Sequence, residues 1–189
     1  MTECDDITYI RRTLAGDTGA FSVLVERYQS LVFSVVARMV RQREDAEDIA
    51  QDVFVKVYSS LSGFRSEARF STWICRIAYT TAVSHTRRQR PDRAGLEIQN
   101  EHDTCTADDD GNLYEERLQQ LQRLMKQLPP DDALLLSLYY QHDKTVDEIA
   151  SISALSVSNV KVRLHRIRKK LQEEMKIENQ ERYGTHTIS

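Results

Sequence analysis

The chain has 189 residues, 29% of them charged, with only six glycines and three prolines and a net charge of −3. That length holds one medium domain or two small ones, and a composition rich in Leu, Ile, Val, Ala, Glu, Gln and Arg, with no β-branched run alternating with polar residues, argues for helices and against sheets. The start, MTECDDITYIRR, lacks the apolar centre of a secretory signal, and the longest apolar run, LVFSVVARMV, is too short to span a bilayer and contains Arg38.

The first predicted helix follows Asp17, a candidate N-cap. Phe21, Leu24, Val25, Tyr28, Leu31, Val32, Val35, Val36 and Met39 recur in it at spacings of three and four. A second helix places Ala46, Ile49, Ala50, Val53, Phe54, Val57, Tyr58 and Leu61 on one face, with Asp45 as its expected cap and Gly63 as its expected stop. A third runs through STWICRIAYTTAVSHTRRQR, is expected to be capped by Ser71 or Thr72, and ends before Pro91. The three apolar faces can close a bundle.

Residues 92–111 are polar, acidic and aperiodic, the pattern of a flexible linker. A second helical unit follows. Leu118, Leu121, Leu124, Met125 and Leu128 are in phase, Pro129 and Pro130 interrupt them, and Pro130 suits the first turn of the next helix. Thr145 and Glu148 then form the capping box T-x-x-E, with Ile149, Ala150 and Ile152 facing inward. After a turn at Ala154–Leu155, Ser156 or Ser158 caps a helix in which Val160, Leu164, Ile167 and Leu171 form one buried stripe. Lys161, His165, Arg166, Lys169 and Lys170 fall on or beside its opposite face. Short helix, tight turn and basic-faced helix describe a helix-turn-helix, whose second helix fits the major groove. A solvated basic surface helix is the competing reading. If the turn requires a positive φ at Ala154, the alanine costs about 1 kcal/mol, and the turn is expected to rewind slightly.

Charge is segregated. Arg87, Arg88, Arg90 and Arg93 form one basic cluster and Lys161–Lys170 another, with an acidic run from Glu97 to Glu116 between them. Phe64, Phe70 and Trp73 offer aromatic surface and Arg65, Arg69 and Arg76 offer charge, a combination that can stack and hold an unpaired base. The phase of Phe70 and Trp73 with Ile74, Ile77 and Ala78 equally suits a core position. On the second helix, acids lie beside Phe54 and Tyr58, which fits either a protein-docking face or a solvated one. No phosphate-loop, nucleophile-elbow or zinc-protease motif occurs, and the five histidines are scattered, so no catalytic site, metal or cofactor is expected. Cys4, Cys75 and Cys105 are far apart and form no C-x-x-C, which suits a reducing cytosol.

Three segments in this order, DAEDIAQDVFVKVY, FRSEARFSTWICRIAY and TVDEIASISALSVSNVKVRLHRIRKKL, resemble bacterial RNA polymerase sigma factors of the extracytoplasmic-function type (group IV) over residues 10–90 and 113–173. The resemblance implies an all-α chain of two small domains: a region 2 bundle at 5–91, the flexible acidic linker at 92–111, a region 4 helix-turn-helix domain at 112–175, and a tail at 176–189. Asp45, Asp48, Gln51, Asp52, Phe54 and Tyr58 would dock on the β′ clamp helices of core RNA polymerase, with further contact to the β subunit. Phe64, Arg65, Ser66, Glu67, Arg69, Phe70, Trp73, Arg76, Thr80, Ser84, Arg87 and Arg88 would melt and hold the −10 element. Ser158, Asn159, Lys161, Val162, Arg163, His165, Arg166 and Lys169 would read the −35 element as duplex.

Thr80 and Ser84 stand where many members have Asn and Asp, Val162 where many have Ser, and Ala154 where a glycine is usual. An anti-sigma factor is an implied partner, along with promoter DNA, in the cytoplasm, with no small-molecule substrate. The linker's acids are expected to screen the basic helix in the free protein. The alternatives are a stand-alone helix-turn-helix regulator and a helical protein-binding adaptor.

Overall fold

In the computed structural model, residues 3–40, 42–89 and 113–184 are described, with side chains placed for 5–40, 42–88 and 119–177. The linker at 92–111, with Cys105 and the acidic run, lies outside the described residues, as does the side chain of Cys4. The described residues form helices and no strand: α1 (Glu3–Leu14), α2 (Thr18–Ala37), α3 (Arg43–Ser60), a 3-10 turn (Leu61–Gly63), α4 (Phe70–Gln89), α5 (Leu113–Lys126), α6 (Pro130–Tyr140), α7 (Val146–Ser153) and α8 (Val157–Gly184).

The N-terminal bundle is built around α2, which packs on α1, α3 and α4. Asp17 caps α2 by accepting from the Ala20 amide at 3.1 Å. It also accepts from the Arg12 guanidinium at 2.7 Å, and this bond holds the Asp17 carboxyl below its ordinary range. The chain turns between α1 and α2 at Gly16, whose φ of 99° favours glycine. Leu24, Val32, Val35 and Val36 of α2 meet Ala46, Ile49, Val53 and Val57 of α3 and Ile74, Ala78 and Ala82 of α4, all buried. By length and composition α2 could cross a bilayer; Leu24, Val32, Val35 and Val36 of it are buried in this bundle, and Val25 and Phe33 are only half-buried.

Three starts and ends differ from the sequence expectations. Helix α1 was not anticipated. Its apolar signal is confined to Ile7, Ile10 and Leu14, and it is tied down by the buried Asp6, which bonds Arg27 and Tyr28 of α2. Helix α3 begins at Arg43 behind Gln42, which caps with no side-chain bond, so Asp45 sits inside the first turn, where its charge suits the helix dipole. Helix α4 begins at Phe70, with the Thr72 and Trp73 amides bonding Arg69 O, so Ser71 and Thr72 are inside the helix and their hydroxyls are free for other partners.

The C-terminal bundle is centred on α6, in which Ala133, Leu134, Leu135, Leu136, Ser137 and Leu138 are all buried, with Pro130 in its first turn. A helix apolar on every side has neighbours all round. Here they include α7 and α8, and α5 and the turn that follows it add the buried Leu124 and Leu128. Helix α8 runs on to Gly184, into the segment 176–189 that the sequence marked as a tail. The residues after Leu171 are good helix formers with no proline, and Lys169–Glu173 and Lys170–Glu174 pair at one-turn spacing.

Candidate nucleic-acid interface

The helix-turn-helix is held by three local devices. Thr145 Oγ1 accepts from the Glu148 amide at 3.2 Å, while Glu148 Oε2 accepts from the Thr145 amide at 2.9 Å, completing the capping box of α7. The turn passes through Ala154 at φ 56°, ψ 28°, so the left-handed turn is kept rather than rewound. Ser156 Oγ then accepts from the Asn159 amide at 3.2 Å and caps α8. Val160, Leu164, Ile167 and Leu171 are buried, which turns Ser158, Asn159, Lys161, Val162, His165, Arg166 and Lys169 outward. Arg163 departs from this set. Its guanidinium is half-buried and donates to Asp132 Oδ1 through Nε at 3.0 Å and through Nη2, because position 163 flanks the seam above the acidic first turn of α6. Arg168 lies over the Tyr139 and Tyr140 rings, 5.3 and 5.6 Å from their centroids.

Arg65, Ser66, Glu67 and Arg69 are exposed in the loop between the bundle's third and fourth helices, and Ser66 has a left-handed φ of 56°. Behind them Phe64, Phe70 and Trp73 pack with ring centroids 5.4–5.6 Å apart. Phe70 is only 2% exposed and also meets Tyr28 edge-on, so it belongs to the core rather than to an open stacking surface, whereas Phe64 and Trp73 are half-buried. Arg76, Thr80, Ser84, Arg87 and Arg88 are exposed at helical spacing along α4. Thr80 Oγ1 donates to Arg76 O at 2.9 Å and Ser84 Oγ to Thr80 O at 2.7 Å, so both hydroxyls keep only acceptor capacity for an outside partner.

On α3, Asp48, Gln51, Asp52 and Tyr58 are exposed while Asp45 and Phe54 are half-buried. Gln51 and Phe54 border a cleft of about 480 Å³ whose other wall is Val25, Gln29, Ser30 and Phe33 of α2. The α2 wall escaped sequence reasoning. Its signal was an apolar stripe too wide for one buried face, with Val25 and Phe33 beyond the fully buried residues.

The two bundles also touch. Thr72 Oγ1 of α4 donates to Glu148 Oε1 of α7 at 2.6 Å, and Lys144 Nζ donates to Ser71 Oγ at 2.5 Å and lies 3.8 Å from Glu148 Oε1. Burial pushes the Glu148 carboxyl up, but the bonds from Thr72 and Thr145 and the Lys144 charge outweigh it, leaving it below the ordinary value. Further along, Arg38 Nη2 donates to Gln141 Oε1 at 2.8 Å, and Ser34 Oγ and His142 Nε2 are hydrogen-bonded at 2.8 Å. Cys75 is buried at this junction, and burial pushes its thiol up to about 12, which removes it from thiolate chemistry. Among the described residues no cluster of His, Cys, Asp or Glu could hold a metal ion.

A four-helix N-terminal bundle followed by a helix-turn-helix domain with an exposed basic helix defines a two-domain DNA-reading protein. Residues 24–91 match sigma-70 region 2 and residues 118–171 match sigma-70, region 4. The ECF RNA polymerase sigma-E factor of Escherichia coli is 34% identical over 173 residues, 86% of this chain and 90% of that one. The RNA polymerase sigma-H factor of Pseudomonas aeruginosa is 30% identical over 178 residues, 89% and 92% of the two chains. The sigma factor RpoE of Bartonella quintana, solved in complex with the anti-sigma factor NepR, shares the fold with a TM-score of 0.65 at 21% identity, over 83% of this chain and 97% of that one. CnrH, solved with the cytosolic domain of CnrY, also has a TM-score of 0.65, at 20% identity over 92% and 98%. The chain belongs to the extracytoplasmic-function sigma factors of the sigma-70 family. Its function is promoter-specific initiation of transcription with RNA polymerase.

Proposed function

We propose that initiation by this chain divides among three surfaces. The α2–α3 cleft, bordered by Gln51 and Phe54, docks on the β′ clamp helices of core polymerase together with Asp45, Asp48, Asp52 and Tyr58 of the same helix. An apolar floor rimmed by amides and acids suits a partner helix that brings both aliphatic and basic side chains. The loop 64–69 and the exposed stripe Arg76–Arg88 take the −10 strand after melting. Trp73 and Phe64 are its stacking surface, and Phe70 supports them from the core. The exposed face of α8 reads the −35 duplex, with its first turns at base edges and Lys169 at phosphate. Arg163 orients α8 through Asp132 rather than touching DNA.

The observation that carries this reading is the division of α8 into a buried seam and an exposed row of Lys161, His165, Arg166 and Lys169 behind a capped turn. The protein acts as an initiation factor in the cytoplasm and has no catalytic role of its own. Because the sigma factor RpoE of this fold is solved in complex with the anti-sigma factor NepR, and CnrH of the same fold with the cytosolic domain of CnrY, an anti-sigma factor is part of the proposal.

The test is reconstitution with core polymerase and a randomised promoter library, scored by run-off transcripts. Enrichment of two spaced elements is expected, and transcripts with no shared upstream sequence would refute the assignment. Separately, Asp48→Arg places a cation on the proposed docking helix at an exposed position. It should cut co-purification with core enzyme about tenfold with helix content unchanged.

A further inference from the structure

Val162 is an apolar exception among the residues assigned to the −35 duplex. It is 43% exposed in the second turn of α8. Successive residues of an α-helix are about 100° apart, which sets position 162 about 190° round from the centre of the seam Val160–Leu164–Ile167–Leu171. Val162 therefore stands at the middle of the outward face. Ser158 lies one turn before it and Arg166 one turn after it, with Asn159 and His165 to either side, and all four are exposed. A valine there serves neither the core nor the helix. Its side chain is not among those packed against the core, and β-branching makes valine a poorer helix former than alanine, leucine, lysine or arginine. A lone surface valine is ordinary elsewhere, but a helix that enters a groove brings the middle of its outward face closest to the bases.

We propose that Val162 reads the 5-methyl group of a thymine in the −35 duplex. This rests on the assignment of the outward face of α8 to that duplex. In the major groove every base pair shows hydrogen-bond donors or acceptors, and thymine adds the one apolar group. An isopropyl group neither donates nor accepts, so it distinguishes bases only by what it covers. Over thymine it removes a methyl from water. Over the amino group of cytosine or adenine it would displace water from a donor and offer no partner in return. Branching at Cβ holds valine to one preferred χ1 rotamer in a helix, so the two γ-methyls are presented at one place. The place of the thymine follows from Arg166. Four residues of helix advance about 6 Å and base pairs are about 3.4 Å apart, so the thymine lies within about two base pairs of the pair that Arg166 reads.

The test uses the full chain assembled with core polymerase and a promoter recovered from the randomised library. Each thymine of the −35 element is replaced in turn by deoxyuridine, which keeps the hydrogen-bonding edge and lacks only the 5-methyl group. Affinity is read by competition against the parent duplex. One replacement, within about two base pairs of the position where Arg166→Ala loses specificity, should weaken binding about fourfold, the contribution of one buried methyl group. Val162→Ala should lose a similar factor on the parent duplex and be indifferent to that replacement. Its denaturant midpoint should not fall, because position 162 is exposed and alanine favours the helix. The methyl contact is overturned if no deoxyuridine affects the wild type, if the sensitivity persists in Val162→Ala, or if no thymine occurs in that window. In those cases a loss confined to cognate duplex in Arg166→Ala still keeps α8 in the groove. Equal losses for Arg166→Ala on cognate and scrambled duplex remove α8 from the groove and the methyl contact with it.

Discussion

Ala154 holds the turn of the helix-turn-helix at φ 56°, where a Cβ crowds the following carbonyl at a cost of about 1 kcal/mol. The turn is kept because Ile149 and Ile152 before it and Val160 and Leu164 after it are buried in one core, and unwinding the turn would expose them. Ala154→Gly should therefore raise stability by about 0.5–1 kcal/mol, read as a higher denaturant midpoint at unchanged slope. An unchanged or lower midpoint would mean that the turn stores no strain. Asp6 is the opposite kind of residue. It is buried and bonds both Arg27 and Tyr28, and Arg27 also lies 5.5 Å from the Tyr9 ring centroid. Asp6→Ala removes the carboxylate that bonds Arg27 and Tyr28 and should cost about 2–3 kcal/mol, measured as a fall in melting temperature, with α1 the first element to lose amide protection.

At the scale of the element, α8 separates two jobs that the run of bases in its sequence does not distinguish. Arg163 and Arg168 serve the domain itself, one against Asp132 and the other over two tyrosine rings. Lys161, His165, Arg166 and Lys169 remain exposed and are the residues proposed to meet DNA. Arg166→Ala should cost about 1–3 kcal/mol at the cognate −35 duplex and much less on scrambled duplex. Lys169→Ala should weaken both equally and reduce the salt slope by about one. The Lys169–Glu173 pair opposes this little, since exposed one-turn pairs contribute only a few tenths of a kcal/mol. Equal losses for the two variants on both duplexes would remove α8 from the groove.

For the whole molecule, the contact between the two bundles is expected to weaken as pH falls. Burial lowers the His142 pKa below its ordinary 6.5, and the Arg38 and Lys144 charges lower it further against a smaller opposing effect of Asp143. A histidine with a depressed pKa in the closed state binds its proton more tightly when the state opens. Closure is thus at full strength above about pH 6.5 and weakens as pH falls below it. Glu148, also depressed, acts in the same direction at lower pH, because protonation removes the acceptor for Thr72. Scattering at pH 7.5 and 5.5 should show a larger radius at the lower value, and His142→Gln should remove most of the difference. A radius independent of pH would exclude His142 as a coupling group.

How much was legible follows from the range of the interactions. The capping box, the seam of α8 and the cap at Asp17 involve residues a few positions apart, and periodicity with side-chain chemistry was enough to determine them, whereas the left-handed turn at Ala154 was kept by the core on either side of it. The all-α class and the exposed basic face of α8 follow from the same local rules. What only the tertiary structure decided involves distant partners. Phe70 and Trp73 carried the same sequence signal and were separated by packing, one into the core and one half-exposed. Arg163 became structural because Asp132, thirty-one positions earlier, lies beneath it. The hydroxyls of Ser71 and Thr72, read as helix caps, instead meet Lys144 and Glu148 more than seventy positions away. Loop closure over such separations leaves no periodic trace in the chain, and a buried polar network of this kind is specified by mutual satisfaction of its donors and acceptors, which exists only once the two bundles have met.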